Sequence, residues 1–254
     1  MKKLIYLSIV LCIILFLKPL ATIGQTASLD SFVNLNTILK RKIKEDNYLN
    51  INYQKNGENF SNLSTLSRRV VDTEYQGEKC IKIVEIQSGT KAKNKAVSIV
   101  DRGTLRPVYY EASINDTLTQ KARFDGETMI FSDSLAYKPV EKKIAISPSL
   151  FLSTTFSELM ESVDFNRYSK VRFQTISPGR TPHEFFVERI KPVTASLLMG
   201  KINCWLLKFT VIDPNSKPVP AGYRYIDRES GQVIAFKTAP DALSYLSYER
   251  LMSL

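Results

Sequence analysis

Residues Arg68 to Gln87 read RRVVDTEYQGEKCIKIVEIQ, two β-branched runs either side of Gln76-Gly77. Ile81 and Ile83 alternate with Lys82, so the side-chain period is two, and a short glycine-containing break between two such runs predicts a hairpin, Arg68 to Tyr75 against Lys79 to Gln87. The pattern repeats outward. Tyr48 to Tyr53 reads as a strand before an Asn56-Gly57 turn. Ala96 to Asp101 and Val108 to Ser113 flank Gly103 and Pro107, and Thr119 to Phe124 and Thr128 to Phe131 flank Asp125-Gly126. Further strands are expected over Lys170 to Thr175, Glu184 to Val193, Asn203 to Ile212, Gly222 to Asp227, Gln232 to Lys237 and Leu243 to Glu249. Strands at this spacing, with turns between them and no alternating helices, predict an antiparallel sheet with one face buried.

Two segments break the period. Ser28 to Glu45 places Leu29, Phe32, Val33, Leu35, Ile38, Leu39 and Ile43 near helical spacing, predicting an N-terminal helix. Ser149 to Val163, behind Pro148, does the same with Leu150, Phe151, Leu152, Phe156, Leu159, Met160 and Val163, predicting one inserted helix.

The chain begins with Lys2 and Lys3, an apolar run from Leu4 to Leu17, then Lys18-Pro19 and the small residues Thr22 and Gly24. A run of about 14 residues rises only about 21 Å as a helix, short of the ~30 Å hydrocarbon core. It fits a secretory signal peptide over residues 1–24, cleaved before Gln25. Cys12 lies in the middle of that run, between Leu11 and Ile13, and so is not a lipidation site. The remaining residues, 25–254, are expected to form a single β-rich domain, exported and soluble after cleavage, in the periplasm or against the outer envelope.

The formal charge is +10; Lys2, Lys3 and Lys18 belong to the signal, leaving +7. An exported basic protein does not meet nucleic acid in bulk, and its anionic counterpart would be an envelope surface. The lysines at 91, 93 and 95 suit a solvated hairpin loop. Cys80 and Cys204 are the only other cysteines; an oxidising compartment permits a disulfide between them, and two separately buried thiols are the alternative. With His183 the only histidine, no metal centre and no cofactor are expected, and His183 is placed in an exposed loop after Pro182. No nucleophile elbow or phosphate-binding glycine loop is present, so the expectation is a protein that is not an enzyme. Asp101, Asp227 and Glu229 sit where strands end, and an aspartate there caps a turn by accepting from nearby backbone N–H groups. Ile99-Val100-Asp101-Arg102 and Tyr225-Ile226-Asp227-Arg228 echo one another, as two similar hairpins in one sheet would. Asp116-Thr117-Leu118 and Asp133-Ser134-Leu135 resemble a short O-glycosylation motif of exported proteins.

The order of several pieces resembles a family of exported bacterial proteins of unknown function, whose fold is related to the periplasmic lipoprotein carrier and its outer-membrane receptor. The pieces are Asp101 to Pro107, Arg123-Phe124-Asp125, the segment Ser149 to Met160, Gly200 to Trp205, Tyr225 to Gly231 and Ser244 to Tyr248, spanning roughly residues 65–250. The resemblance implies a mainly β fold, a strongly curved antiparallel sheet or half-open barrel with helices on its concave side. In the carrier relatives that concavity accepts acyl chains. The lipobox of the receptor is missing, and the family offers no catalytic residues to carry over. The leading expectation is therefore a non-catalytic binding protein for an acyl or other apolar ligand, with Tyr109, Phe124, Trp205, Phe209, Tyr223 and Tyr225 as candidate walls. The alternatives are a structural or interaction module of the envelope with a filled core, and, more weakly, a carbohydrate-active hydrolase with two facing carboxylates.

Overall fold

A computed structural model of the chain describes residues 32–37, 43–89, 92–134, 140–212, 218–239 and 244–253. The expected signal peptide, residues 1–24, lies outside them.

The strands follow the two-residue period. In the first half they are β1 (Val33–Asn34), β2 (Asp46–Asn56), β3 (Asn59–Tyr75), β4 (Glu78–Ser88), β5 (Lys93–Asp101), β6 (Pro107–Ile114), β7 (Thr117–Asp125), β8 (Thr128–Asp133) and β9 (Val140–Ala145). The second half has β10 (Leu150–Leu152), β11 (Lys170–Ile176), β12 (His183–Leu197), β13 (Gly200–Ile212), β14 (Val219–Asp227), β15 (Val233–Lys237) and β16 (Ser244–Ser253). Gln76 and Gly77 both take positive φ, 52° and 85°, as do Asn115 and Asp116, 48° and 65°. Two successive residues with positive φ match the right-handed twist of flanking strands, which is why these hairpins are tight.

One sheet joins all the described strands in the order β1-β11-β12-β13-β14-β15-β16-β2-β3-β4-β5-β6-β7-β8-β9, with β10 also on β11. Every pair is antiparallel except β1 and β10, which lie parallel to β11. The sheet is mainly β in the sense expected, large, curved and not closed into a barrel. Its two halves meet where the last strand, β16, pairs with β2, setting Tyr248 opposite Asn52 and Glu249 opposite Ile51.

The inserted segment is only partly helical. Leu150–Leu152 is a strand on the edge of β11, Ser153–Thr155 is a 3-10 turn, and Phe156–Glu161, here α1, is the α-helix. An apolar run buried on all sides reads alike as strand or helix, and here the open edge of β11 captures its first three residues. The N-terminal helix expected from residue 28 is not formed where the chain is described: Val33–Asn34 is a strand, Leu35–Thr37 a 3-10 turn, and 43–45 irregular. Residues 28–31 and 38–42 lie outside the described residues.

The main core brings Ile81, Ile83, Val100, Met129, Phe131, Val171, Phe173, Val187, Leu207 and Phe209 of the sheet against Phe151, Leu152, Leu159, Met160 and Val163 of the insert. A second, smaller cluster, Ala195, Cys204, Leu206, Tyr225, Ile234 and Ala235, forms as well. In β13, Leu207 and Phe209 face the first core while Cys204 and Leu206 belong to the second, so this strand is buried on both faces.

Candidate functional site

The insert enters the main core and is held there by charge as well as packing. Phe156, at the start of α1, sits among Phe173, Phe185 and Phe209, with ring centroids 5.3, 5.1 and 5.2 Å away. Arg68 of β3, buried, donates to Glu158 of α1, to Glu85 of β4 and to the carbonyl of Thr154. Burial works against the Arg68 charge, but Glu158 and Glu85 outweigh it and hold its pKa above the ordinary value. Arg250 of β16 pairs with Glu161 at 3.3 Å and Asp46 at 3.5 Å, and its guanidinium lies 3.6 Å from the centroid of the Tyr48 ring. Glu161 also accepts from the backbone N–H of Val233 at 3.0 Å. Burial is the main influence on its carboxyl, which is pushed up to about 7 although Arg250 pulls the other way.

A third inward cation, the half-buried Arg224 of β14, is built differently. Its guanidinium lies 4.3 Å from the Phe156 centroid, 5.1 Å from Phe236 and 5.4 Å from Phe209. No carboxylate among the described residues pairs with it, and its buried Nε has no hydrogen-bond acceptor. Burial lowers its pKa to about 10. It lines a small pocket of about 40 Å3 with Tyr48, Asn50, Ser157, Phe236 and Tyr248. Larger open grooves lie elsewhere. One, of about 450 Å3, runs past Asp46, Glu161, Glu229 and Gln232; another, of about 260 Å3, passes Leu66, Glu85, Ala96, Tyr110 and Ala112.

A family model described as a protein of unknown function, DUF3108, matches residues 50–238. The chain belongs to the DUF3108 family. No curated protein matches it. Two solved structures resemble it weakly. One is named as an exported protein with a YmcC-like fold, from Bacteroides fragilis NCTC 9343; it is 12% identical, covering 88% of this chain and 98% of its own, with a TM-score of 0.36. The other is the hypothetical lipoprotein YmcC of Escherichia coli (K12), 11% identical, covering 86% of this chain and 94% of its own, with a TM-score of 0.27.

In this DUF3108 chain the six candidate wall residues do not line one cavity. Phe209 is buried in the main core against Phe156. Phe124 and Trp205 flank that core, Trp205 lying between the guanidinium groups of Arg189 and Arg228, each 4.6 Å from its ring. Tyr223 and Tyr225 belong to the second cluster. Tyr109 stacks beside Tyr75 and donates its hydroxyl hydrogen to Glu111 at 2.7 Å. The disulfide considered between Cys80 and Cys204 is not formed. Both thiols are free and buried, on strands separated in the sheet by β14, β15, β16, β2 and β3.

The turn role expected of two aspartates is seen directly. Asp101 accepts from the backbone N–H of Gly103 and Thr104 and from the Thr104 hydroxyl, and Asp227 from those of Glu229 and Ser230 and the Ser230 hydroxyl. The echo goes further than the turn, because Asp101 is the cross-strand partner of Cys80 and Asp227 that of Cys204. His183 is not in an exposed loop. It opens β12 opposite Thr175, half-buried, with its Nδ1 unpartnered. Among the described residues no group of histidine, cysteine and carboxylate side chains is placed to hold a metal, and no helix is long and apolar enough to cross a membrane. The arginines of the charged clusters carry no period or motif in the sequence. Only the placement of Arg68, Arg224 and Arg250 within otherwise apolar or tyrosine-bearing strands could have marked them.

Proposed function

We propose that this is an exported, non-catalytic protein of the cell envelope that engages its partner through its surface, not by enclosing an acyl chain within the curved sheet. The observation that carries this reading is the insert: Phe151, Leu152, Leu159 and Met160 are essentially inaccessible and fill the space a lipid tail would need. An acyl ligand would have to displace α1 and break the Arg68–Glu158 and Arg250–Glu161 pairs, and parting buried charges is costly. The buried Glu158 and the half-buried Glu161 are each held by an arginine, an arrangement that supports a structural role over a hydrolytic one. The surface offers a contrasting feature. Leu198 and Met199, 55% and 56% exposed, form the tip of the β12–β13 hairpin, where polar turn residues would ordinarily stand. That tip is braced, since the Leu198 N–H donates to Glu249 at 2.8 Å and Tyr53 donates to the same carboxylate.

The test has two parts. A photo-crosslinking amino acid in place of Met199, in the native envelope, is expected to give a discrete protein adduct that the same group at exposed Glu229 does not. Native mass spectrometry of the protein, isolated without detergent, is expected to show no bound diacyl or triacyl lipid. A stoichiometric lipid of that kind, or equal crosslinking at both positions, would overturn the reading.

A further inference from the structure

The geometry around Arg224 points to a binding site for a small organic carboxylate, and we propose that this pocket takes the carboxylate end of a ligand whose apolar remainder lies outside it. This goes beyond the surface-engagement reading and does not depend on it.

Two buried arginines, Arg68 and Arg250, and a half-buried one, Arg224, reach the interior, and they are treated differently. Arg68 and Arg250 each have two carboxylates. Arg224 has three aromatic rings and no anion. A half-buried guanidinium set among rings keeps part of its stabilisation from the ring faces, but no carboxylate among the described residues balances its charge. A ligand oxyanion would supply both charge and acceptors, and a planar carboxylate matches the guanidinium fork. Size points the same way. About 40 Å3 is room for a group of two or three heavy atoms, not for a sugar or a nucleotide. The other linings are polar where they need to be: Ser157, Asn50, Tyr48 and Tyr248 bring three hydroxyl-bearing side chains and an amide to the same pocket. At the rim the surface turns apolar. Tyr248 is 42% exposed, and Leu246, two residues earlier on the same face of β16, is 46% exposed. A ligand with a carboxylate on an aliphatic stem would bury the first in the pocket and rest the second on Leu246.

Titration of the full chain with hexanoate, followed by amide chemical shifts in NMR, tests this. Hexanoate is too short to replace the insert, so its failure to bind would overturn this proposal and leave the surface-engagement reading standing. Saturable shifts are expected at residues 48–52, 157, 224 and 246–248. Hexanol should give none, and acetate should bind at least tenfold more weakly than hexanoate. Arg224→Gln should weaken hexanoate at least tenfold. Because that variant could disturb the core, Tyr248→Phe and Ser157→Ala serve as milder changes, each expected to weaken binding severalfold with the melting temperature unchanged. Equal binding of hexanoate and hexanol, undiminished binding by Arg224→Gln, or no saturable binding at all would mean that Arg224 is only a structural cation, and the proposal would fall. Binding of acetate as tight as hexanoate would overturn the apolar rim.

Discussion

Arg68 joins three elements with one guanidinium, since Glu158 comes from α1, Glu85 from β4 and the Thr154 carbonyl from the turn before α1. Removing it leaves Glu158 buried and unpaired, so Arg68→Met is expected to cost about 3–5 kcal/mol in a denaturant titration. Glu161 offers a subtler readout. Its carboxyl titrates near 7 when folded and near 4.5 when free, so the folded protein holds the extra proton between those values. The stability that Glu161 contributes is therefore greatest below about pH 4.5 and is lost as pH rises toward 7. Melting temperatures measured from pH 7.5 down to pH 5 should rise, and Glu161→Gln should flatten that slope by an amount on the order of 2 kcal/mol. The thiols give a third check. Burial raises both, Cys204 to about 11, so neither is a thiolate at neutral pH. Iodoacetamide should label neither cysteine in the folded protein and both after denaturation; protection that persists in denaturant without reductant would mean a disulfide. None of these pairings has a local signature. Arg68 and Glu158 are ninety positions apart, and an arginine in an alternating strand reads as an exposed one until its partner is known.

At the scale of elements, hairpins were the most legible feature, because a turn and its two strands are contiguous. Gln76-Gly77 and the Asp101 and Asp227 turns form where the residue types require them. Strand extent was less legible. β3 runs from Asn59, well before the Arg68 that opens its alternating run, because its Ser- and Asn-rich first half is held by pairing with β2 and not by apolar burial. Gly222 marks a position that pattern alone could not weigh. It has φ of +117°, and a Cβ there would stand 2.6 Å from the Phe236 ring and 3.0 Å from the Lys237 carbonyl. Gly222→Ala should destabilise the protein by about 1–3 kcal/mol, read by thermal or chemical unfolding. The backbone carbonyl cannot yield as a side chain can. The insert is the element whose helical reading failed in part, since Leu150–Leu152 satisfies its backbone on the edge of β11 instead of within a helix.

The whole molecule depends on a junction between its ends. β16 pairs with β2 over nearly its full length, and among the described strands the sheet continues from its second half to β3–β9 through β2. Deleting residues 244–254 should therefore abolish cooperative unfolding, monitored by circular dichroism and limited proteolysis, where loss of an ordinary terminal strand would merely lower the midpoint. Alternating periodicity, turn residues and the absence of helical repeats were enough to determine a mainly antiparallel sheet with one face buried, and the order of the turn motifs was enough to place the chain in its family. Those signals are local, written within a few residues of one another. What lies against the buried face is not local. Alternation states that Phe173, Phe209 and Val187 must leave water, but not whether a ligand, a solid core or the chain's own insert receives them. The covering of the main core by residues 150–165, the second core on the other face of β13, the separation of Cys80 from Cys204 and the uncompensated charge of Arg224 were decided only by tertiary structure. Each is a meeting of segments far apart in the chain, chosen by shape and charge complementarity that no single segment contains.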